Sequence, residues 1–447
     1  MSDAMPAAAT RFPTYREALA VWFRIGCLSF GGPAAQIALM HREVVGDRAW
    51  VSERRFLHAL NFCMLLPGPE AQQLAIYLGW LLHGVKGGFA AGLLFVLPGA
   101  AVMLVLSAIY AVAGGVPVIA ALFFGLKCAV LVVVVEALLR VARRALKGGA
   151  AYALAAAAFL ALYAFDVPFP FVVLAAAVVG FLAPAQFSAG LHGERQGDRP
   201  ALLDAMLAED PGRIARLSAS ARWAGLASLA AWLVPLGLLV AADAGVWADI
   251  AWFFSKMALV TFGGAYAVLA YVAQEAVDRY GWLSAADMLA GLGLAETTPG
   301  PLILVLQFVG FLAALPHGGL IAGTAGAALT LLVTFAPCFA WIFLGAPFVE
   351  RLHGQRALAG ALAAVTAAVV GVIANLALWF GLRVLFSTVR RVTLGPVALD
   401  LPDPRSLDPS ALALALLAAL LLFPLKQGIL RTLGVTALAG LALRLVL

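Results

Sequence analysis

Three stretches of this chain, 88–112, 116–139 and 357–381, are apolar for longer than a soluble core is thick. A helix needs roughly 20 such residues to cross a bilayer. Hydrocarbon offers the backbone no partner, so these runs must be helices, which bond their own N–H and C=O groups. A spanning β-barrel would instead show short alternating segments, which are absent from this sequence. Hydrophobic residues make up 64% and charged residues 12%, with a mean hydropathy of +1.00, whereas soluble domains carry roughly 25% charged residues. The expected fold class is an all-α polytopic membrane protein with the lipid bilayer as its main partner.

Residues 1–13 are polar and Ala-rich, with no cleavage-site pattern before the first apolar run, so no cleavable signal is expected. Cys27, Cys63, Cys128 and Cys338 are scattered in apolar runs without paired spacing, which suits small core residues better than disulfides or metal ligands. The net charge of +6 sits mostly in loop arginines and speaks to membrane topology rather than to nucleic acid. HExxH, CxxC, P-loop and GxSxG patterns are absent. No cofactor, no metal and no enzymatic activity are expected, and a homodimer is compatible with the sequence.

About thirteen apolar spans can be marked: 15–40, 56–83, 88–113, 116–143, 150–166, 168–186, 222–243, 250–273, 286–315, 318–348, 357–386, 409–425 and 427–446. The long polar stretch near 187–221 reads as a linker between 1–186 and 222–447. The two parts are related. Phe30-Gly31-Gly32 matches Phe262-Gly263-Gly264 at an offset of 262 − 30 = 232. That offset also pairs Glu43 with Glu275, Trp50 with Trp282, Ser52 with Ser284, and Pro67-Gly68-Pro69 with Pro299-Gly300-Pro301. Further on it becomes 239, pairing Pro98 with Pro337 and Glu136 with Asn375. Rare residue types in one register indicate an internal duplication.

The first repeat starts at span one and the second at span eight, so the halves face opposite ways, with span seven as adapter. Re-entrant FGG and PGP segments would leave that parity intact. Inverted repeats with broken helices are a common transporter architecture. Loop charges place more Lys and Arg on the N-terminal side, with Arg42, Arg48, Arg54 and Arg55 falling on the opposite side of this count. The expected orientation is a cytoplasmic N-terminus and an external C-terminus.

Four helix breaks stand out: Gly31-Gly32-Pro33, Pro67-Gly68-Pro69, Gly263-Gly264 and Pro299-Gly300-Pro301. Each would free amide N–H groups at the start of a half-helix, where the dipole is positive and anions bind. As single features, Gly and Pro in membrane helices are ordinary kinks or packing points; four at repeat-related positions suggest a site. Arg24 and Lys256 form a second repeat-related pair (256 − 24 = 232), six residues before each FGG. A cation at depth costs about 2.5–3.5 kcal/mol and usually faces protein or water; snorkelling is the plainer reading. Lys127, deep in its span, has Thr366 as repeat partner, and pairing with Glu136 is its expected role. Glu296, Glu43 and Glu275 are candidate proton-coupling carboxylates, with Glu70 a dipole-complementing one.

With FRIGCLSFGGP at 23–33, LPGPEAQQLA at 66–75, KMALVTFGGAYAVL at 256–269 and TTPGPLILVLQFVGF at 297–311, the chain resembles the two-domain chromate ion transporter family. It departs where Ala265 replaces the second GGP proline. The resemblance implies a bacterial-type plasma-membrane porter that exports chromate, a tetrahedral dianion, and confers resistance to it. Membrane potential, proton exchange or both would drive it. A transporter or channel for another oxyanion such as sulfate shares every feature above, and a membrane-embedded enzyme fits them less well.

Overall fold

The computed structural model describes residues 11–187, 201–210, 212–262, 265–346, 356–395 and 397–446. The chain forms α1 (Tyr15–Leu28), α2 (Gly32–His41), α3 (Glu53–Met64), α4 (Glu70–Ala113), α5 (Pro117–Ala145), α6 (Gly149–Tyr163), α7 (Phe169–Leu182) and the short α8 (Pro184–Phe187). Past the linker come α9 (Leu202–Glu209), α10 (Arg213–Ala241), α11 (Val246–Val260), α12 (Ala265–Gln274), α13 (Ala285–Thr297), α14 (Val305–Ala314), α15 (Gly319–Gly345) and α16 (Arg356–Leu385). An antiparallel hairpin, β1 (Val389–Leu394) and β2 (Val397–Pro402), precedes α17 (Pro409–Leu422) and α18 (Ile429–Val446). Among the described residues five helices, α4, α5, α10, α15 and α16, are long and apolar enough to cross a membrane.

The duplication extends to local chemistry. The Ser52 side chain caps α3 and that of Ser284 caps α13, each accepting a backbone N–H three residues on. Ahead of each cap, Trp50 N–H bonds Val44 O at 2.8 Å and Trp282 N–H bonds Ala276 O at 2.9 Å, again 232 apart.

The spans 15–40, 56–83, 250–273 and 286–315 are each two helices around a break. Were α2 to continue α1, Glu43 would lie roughly 28 Å beyond Arg24 at 1.5 Å per residue. Instead the Glu43 and Arg24 side chains meet at 3.4 Å, so the chain turns back at the break. In the second half, a Cβ on Gly291 of α13 would fall 2.4 Å from the Phe308 ring of α14, which requires the same reversal. Within α4 the backbone leaves helical geometry at His83 and Gly84, separating two arms. The arms fold back so tightly that a Cβ on Gly87 would sit 2.2 Å from Gly79 O.

Two groups of loops gather at different ends. Leu202 and Leu203 N–H bond Ala49 O and Trp50 O at 3.0 Å, and Arg55 pairs with Asp204 at 2.8 Å. His83 meets Pro13 O at 2.9 Å, and Arg213 donates to Leu82 O at 2.8 Å. At the other group, Ala398 N–H bonds Ala164 O at 2.9 Å, Arg391 pairs with Asp166, and Arg383 reaches Asp400 at 3.4 Å and Asp278 at 3.9 Å. α10, about 43 Å long, runs from the first group toward the second. The sequence count put Arg42, Arg48, Arg54 and Arg55 opposite the linker; the bonds from α9 to the 49–50 backbone set their loop beside it, because the chain reverses at the break.

Gly87→Ala forces a methyl into a backbone oxygen, whereas Gly434 of α18 has open space around it. Overpacking of that kind costs about 1–3 kcal/mol. Thermal unfolding in detergent should show a lowered midpoint for Gly87→Ala and none for Gly434→Ala.

Candidate functional site: the convergent helix breaks

The breaks meet across the halves. Gly68 N–H donates to Thr261 O at 2.8 Å, and Gly300 N–H donates to Ser29 O at 2.8 Å. The two bonds are repeat-related, since 261 − 29 = 232 and 300 − 68 = 232. Each Pro-Gly-Pro turn therefore ties down the last carbonyls of the other half's first helix, groups that a helix end leaves unpaired. Gly68 and Gly300 have φ of +121° and +92°, a region in which side chains are strained. A Cβ on Gly68 would also lie 2.9 Å from Cys338 Sγ. The second arm of α4 closes against the same place: a Cβ on Gly99 would fall 2.0 Å from Pro299 O.

A cavity of about 10 Å³, room for one water, opens between these elements. It is lined by Pro33 and Gln36 of α2, Pro69, Glu70 and Ala71 at the start of α4, Thr261 after α11, and Pro301, Leu302 and Ile303. Three half-helix starts thus face one point, each bringing N–H groups without intrahelical partners. Gln36 holds the wall together: its Nε2 donates to Gly300 O at 2.7 Å and to Ser29 O at 3.5 Å. Gln73 Nε2 donates to Pro67 O at 2.7 Å. Pro33, Pro69 and Pro301 line the cavity; Gly31, Gly32, Pro67, Gly68, Pro299 and Gly300 shape the same breaks. Gly263 and Gly264 lie outside the described residues.

Arg24 and Lys256 are not among the cavity's lining residues. The Arg24 side chain, 59% exposed, pairs with buried Glu43, which Arg48 also holds at 2.5 Å. Lys256 Nζ stands 5.8 Å from the Trp252 ring and is near enough to Glu275 to feel its charge; Glu275 pairs with Arg279 at 3.0 Å. The Arg24–Glu43 pair braces the two legs of the first turned-back pair, while Lys256 only feels the charge of the equivalent Glu275. Lys127 interacts with Asp287, itself bonded by the Tyr110 hydroxyl at 2.5 Å. Glu136, its expected partner, pairs with Arg140.

Glu296, three residues before Pro299, is 7% exposed and accepts the Tyr266 hydroxyl. The Arg140–Glu136 pair of α5 acts on it electrostatically. Glu275 lines a larger cavity of about 270 Å³ beneath the β-hairpin, together with Asp166, Asp278, Arg279, Asn375, Arg391 and Asp400.

Sequence reading passed over Ser29, Gln36, Gln72, Gln73, Thr261 and Tyr266. Their signal was available: polar side chains directly beside a break inside an apolar run must find partners there. All but Tyr266 are under 2% exposed.

The chromate transporter family model matches residues 16–181 and 247–442. The chain is 32% identical over 376 residues to the chromate transport protein of Pseudomonas aeruginosa, covering 83% of this chain and 82% of that one. It is 27% identical over 419 residues to the chromate transport protein of Cupriavidus metallidurans, covering 92% and 95%. No solved structure matches the chain. Both matched stretches contain an FGG and a PGP break, and on this footing the chain belongs to the chromate transporter family.

Proposed function

We propose that this protein is a secondary transporter that exports chromate across a bacterial-type plasma membrane and so confers chromate resistance. The reading rests above all on the cavity where three half-helix starts converge, since uncharged N–H donors suit a tetrahedral dianion without a metal. The names of the curated relatives point to the same substrate. With the cell interior negative, expelling a dianion is favoured by about 4.6 kcal/mol per 100 mV, from about 2.3 per charge. The potential is the main drive, with proton exchange at Glu296 as a second route and Glu43 and Glu275 as ion-paired braces.

We read the two halves as inverted repeats whose FGG and PGP pairs are re-entrant, five crossings lying between the repeat starts. The reciprocal bonds of Gly68 and Gly300 support this, as a pseudo-two-fold axis would carry each of the two bonds onto the other. Arg42, Arg48, Arg54 and Arg55 then join the linker side and Arg279 leaves it, which strengthens the positive-inside bias for a cytoplasmic N-terminus. Because the cavity is water-sized, the helix starts must part to admit substrate.

Cells expressing the protein should accumulate less chromate than cells without it. Excess sulfate that abolishes the difference would favour a general oxyanion transporter, and unchanged accumulation would overturn the chromate reading. Reporter fusions should read cytoplasmic at Met1 and external at Leu447; two cytoplasmic signals would break the parity. Arg24 and Lys256 are proposed to draw the anion toward the breaks, so Arg24→Ala and Lys256→Ala should each lower the export rate severalfold. Full export at normal protein levels would reduce both to structural braces.

A further inference from the structure

Among the residues that line the break cavity is an acidic one, which an anion site would be expected to lack. Glu70 is the first residue of α4, directly behind Pro69, so it stands at the same helix start as the N–H donors. Among the described residues no cation pairs with it. The titratable side chain that acts with it is the thiol of Cys63 in α3, which supplies no positive charge.

Gln36 limits what Glu70 can be. Because its Nε2 is committed to Gly300 O and Ser29 O, its Oε1 is left as an acceptor, and that buried oxygen has no partner. An ionised carboxylate and an amide oxygen would then both present lone pairs to a space of one water. A proton on Glu70 removes the charge and gives the cavity that both residues line an O–H donor. The second half has no such pair, since the counterparts of Glu70 and Gln36 are Leu302 and Val268.

We propose that Glu70 is a proton-operated gate on the anion site: the cavity admits a tetrahedral dianion only while the Glu70 carboxyl is protonated. This rests on the reading of the chain as an oxyanion transporter. When ionised, Glu70 occupies the half-helix starts as a built-in anion and repels a second one. When the carboxylate takes a proton from water, the N–H groups are released to the substrate; when the anion leaves, the proton returns to water. Binding and protonation are then linked, so each strengthens the other equally.

In proteoliposomes, chromate flux should fall as pH rises through the Glu70 titration, approaching about tenfold per pH unit for a single linked proton. Glu70→Gln should remove that slope, and Glu70→Asp should keep it. In weakly buffered detergent solution above that titration, adding chromate or sulfate to the purified protein should draw up to about one proton per chain from the medium, an uptake absent from Glu70→Gln. Size-exclusion profiles would establish that the variants are folded. Proton uptake with sulfate alone, lost in Glu70→Gln, would keep the gate and sink chromate as substrate. Chromate flux with the same pH slope in wild type and Glu70→Gln would keep the transporter and sink the gate. No proton uptake with either anion would also overturn the gate.

Discussion

A helix broken inside an apolar bundle leaves N–H and C=O groups that water cannot reach, and they must be bonded by something else. Here each half bonds the other's. Gly68 N–H takes Thr261 O and Gly300 N–H takes Ser29 O, so neither set of breaks is satisfied alone. Gln36 adds a second tie from α2 of the first half to Gly300 O of the second. The glycines pressed against backbone oxygen, Gly26 on Leu94 and Gly99 on Pro299, are consequences: the long second arm of α4 must approach closely enough to wall off the bonded groups.

Much of this was legible in the sequence. Hydropathy alone marked the runs that hold the five long apolar helices, and the repeat register picked out the breaks, although it paired each with its equivalent while the two bonds join each Pro-Gly-Pro turn to the residue before the other half's FGG. What hydropathy could not show was direction. A continuous apolar run such as 56–83 looks the same whether its two helices are collinear or folded back, since both bury similar side chains. That ambiguity misplaced the loop carrying Arg48 and Arg55, which lies beside α9 of the linker. The cations were found by their rarity but not their partners: Arg24 and Glu43 are 19 positions apart, and only a reversal at Gly31 lets them meet.

The halves also divide their roles, which a register of matched motifs hides. Around the junction the first half supplies Gln36, Glu70, Gln72 and Gln73, where the second has Val268, Leu302, Leu304 and Val305. The second half supplies Tyr266 and Glu296, where the first has Ala34 and Met64. Backbone geometry is therefore shared while side-chain chemistry is split. Hydrogen bonds between main-chain groups depend only on the turn, so duplication preserves them through wide side-chain change. A titratable group duplicated at the axis would face its own copy, and two buried carboxylates in a water-sized space would repel.

That last constraint explains why a polar wall on one side and an apolar one on the other form a workable site. A dianion held between two carboxylate-bearing helix starts would meet two negative charges besides its own two. With Leu302 opposite Glu70, a single proton suffices to clear the cavity of competing charge. The apolar side contributes by excluding water, which strengthens the field of the helix starts at the moment they are free. It also offers nothing to hold the anion once those starts separate, so the movement that opens the cavity is the movement that weakens its grip.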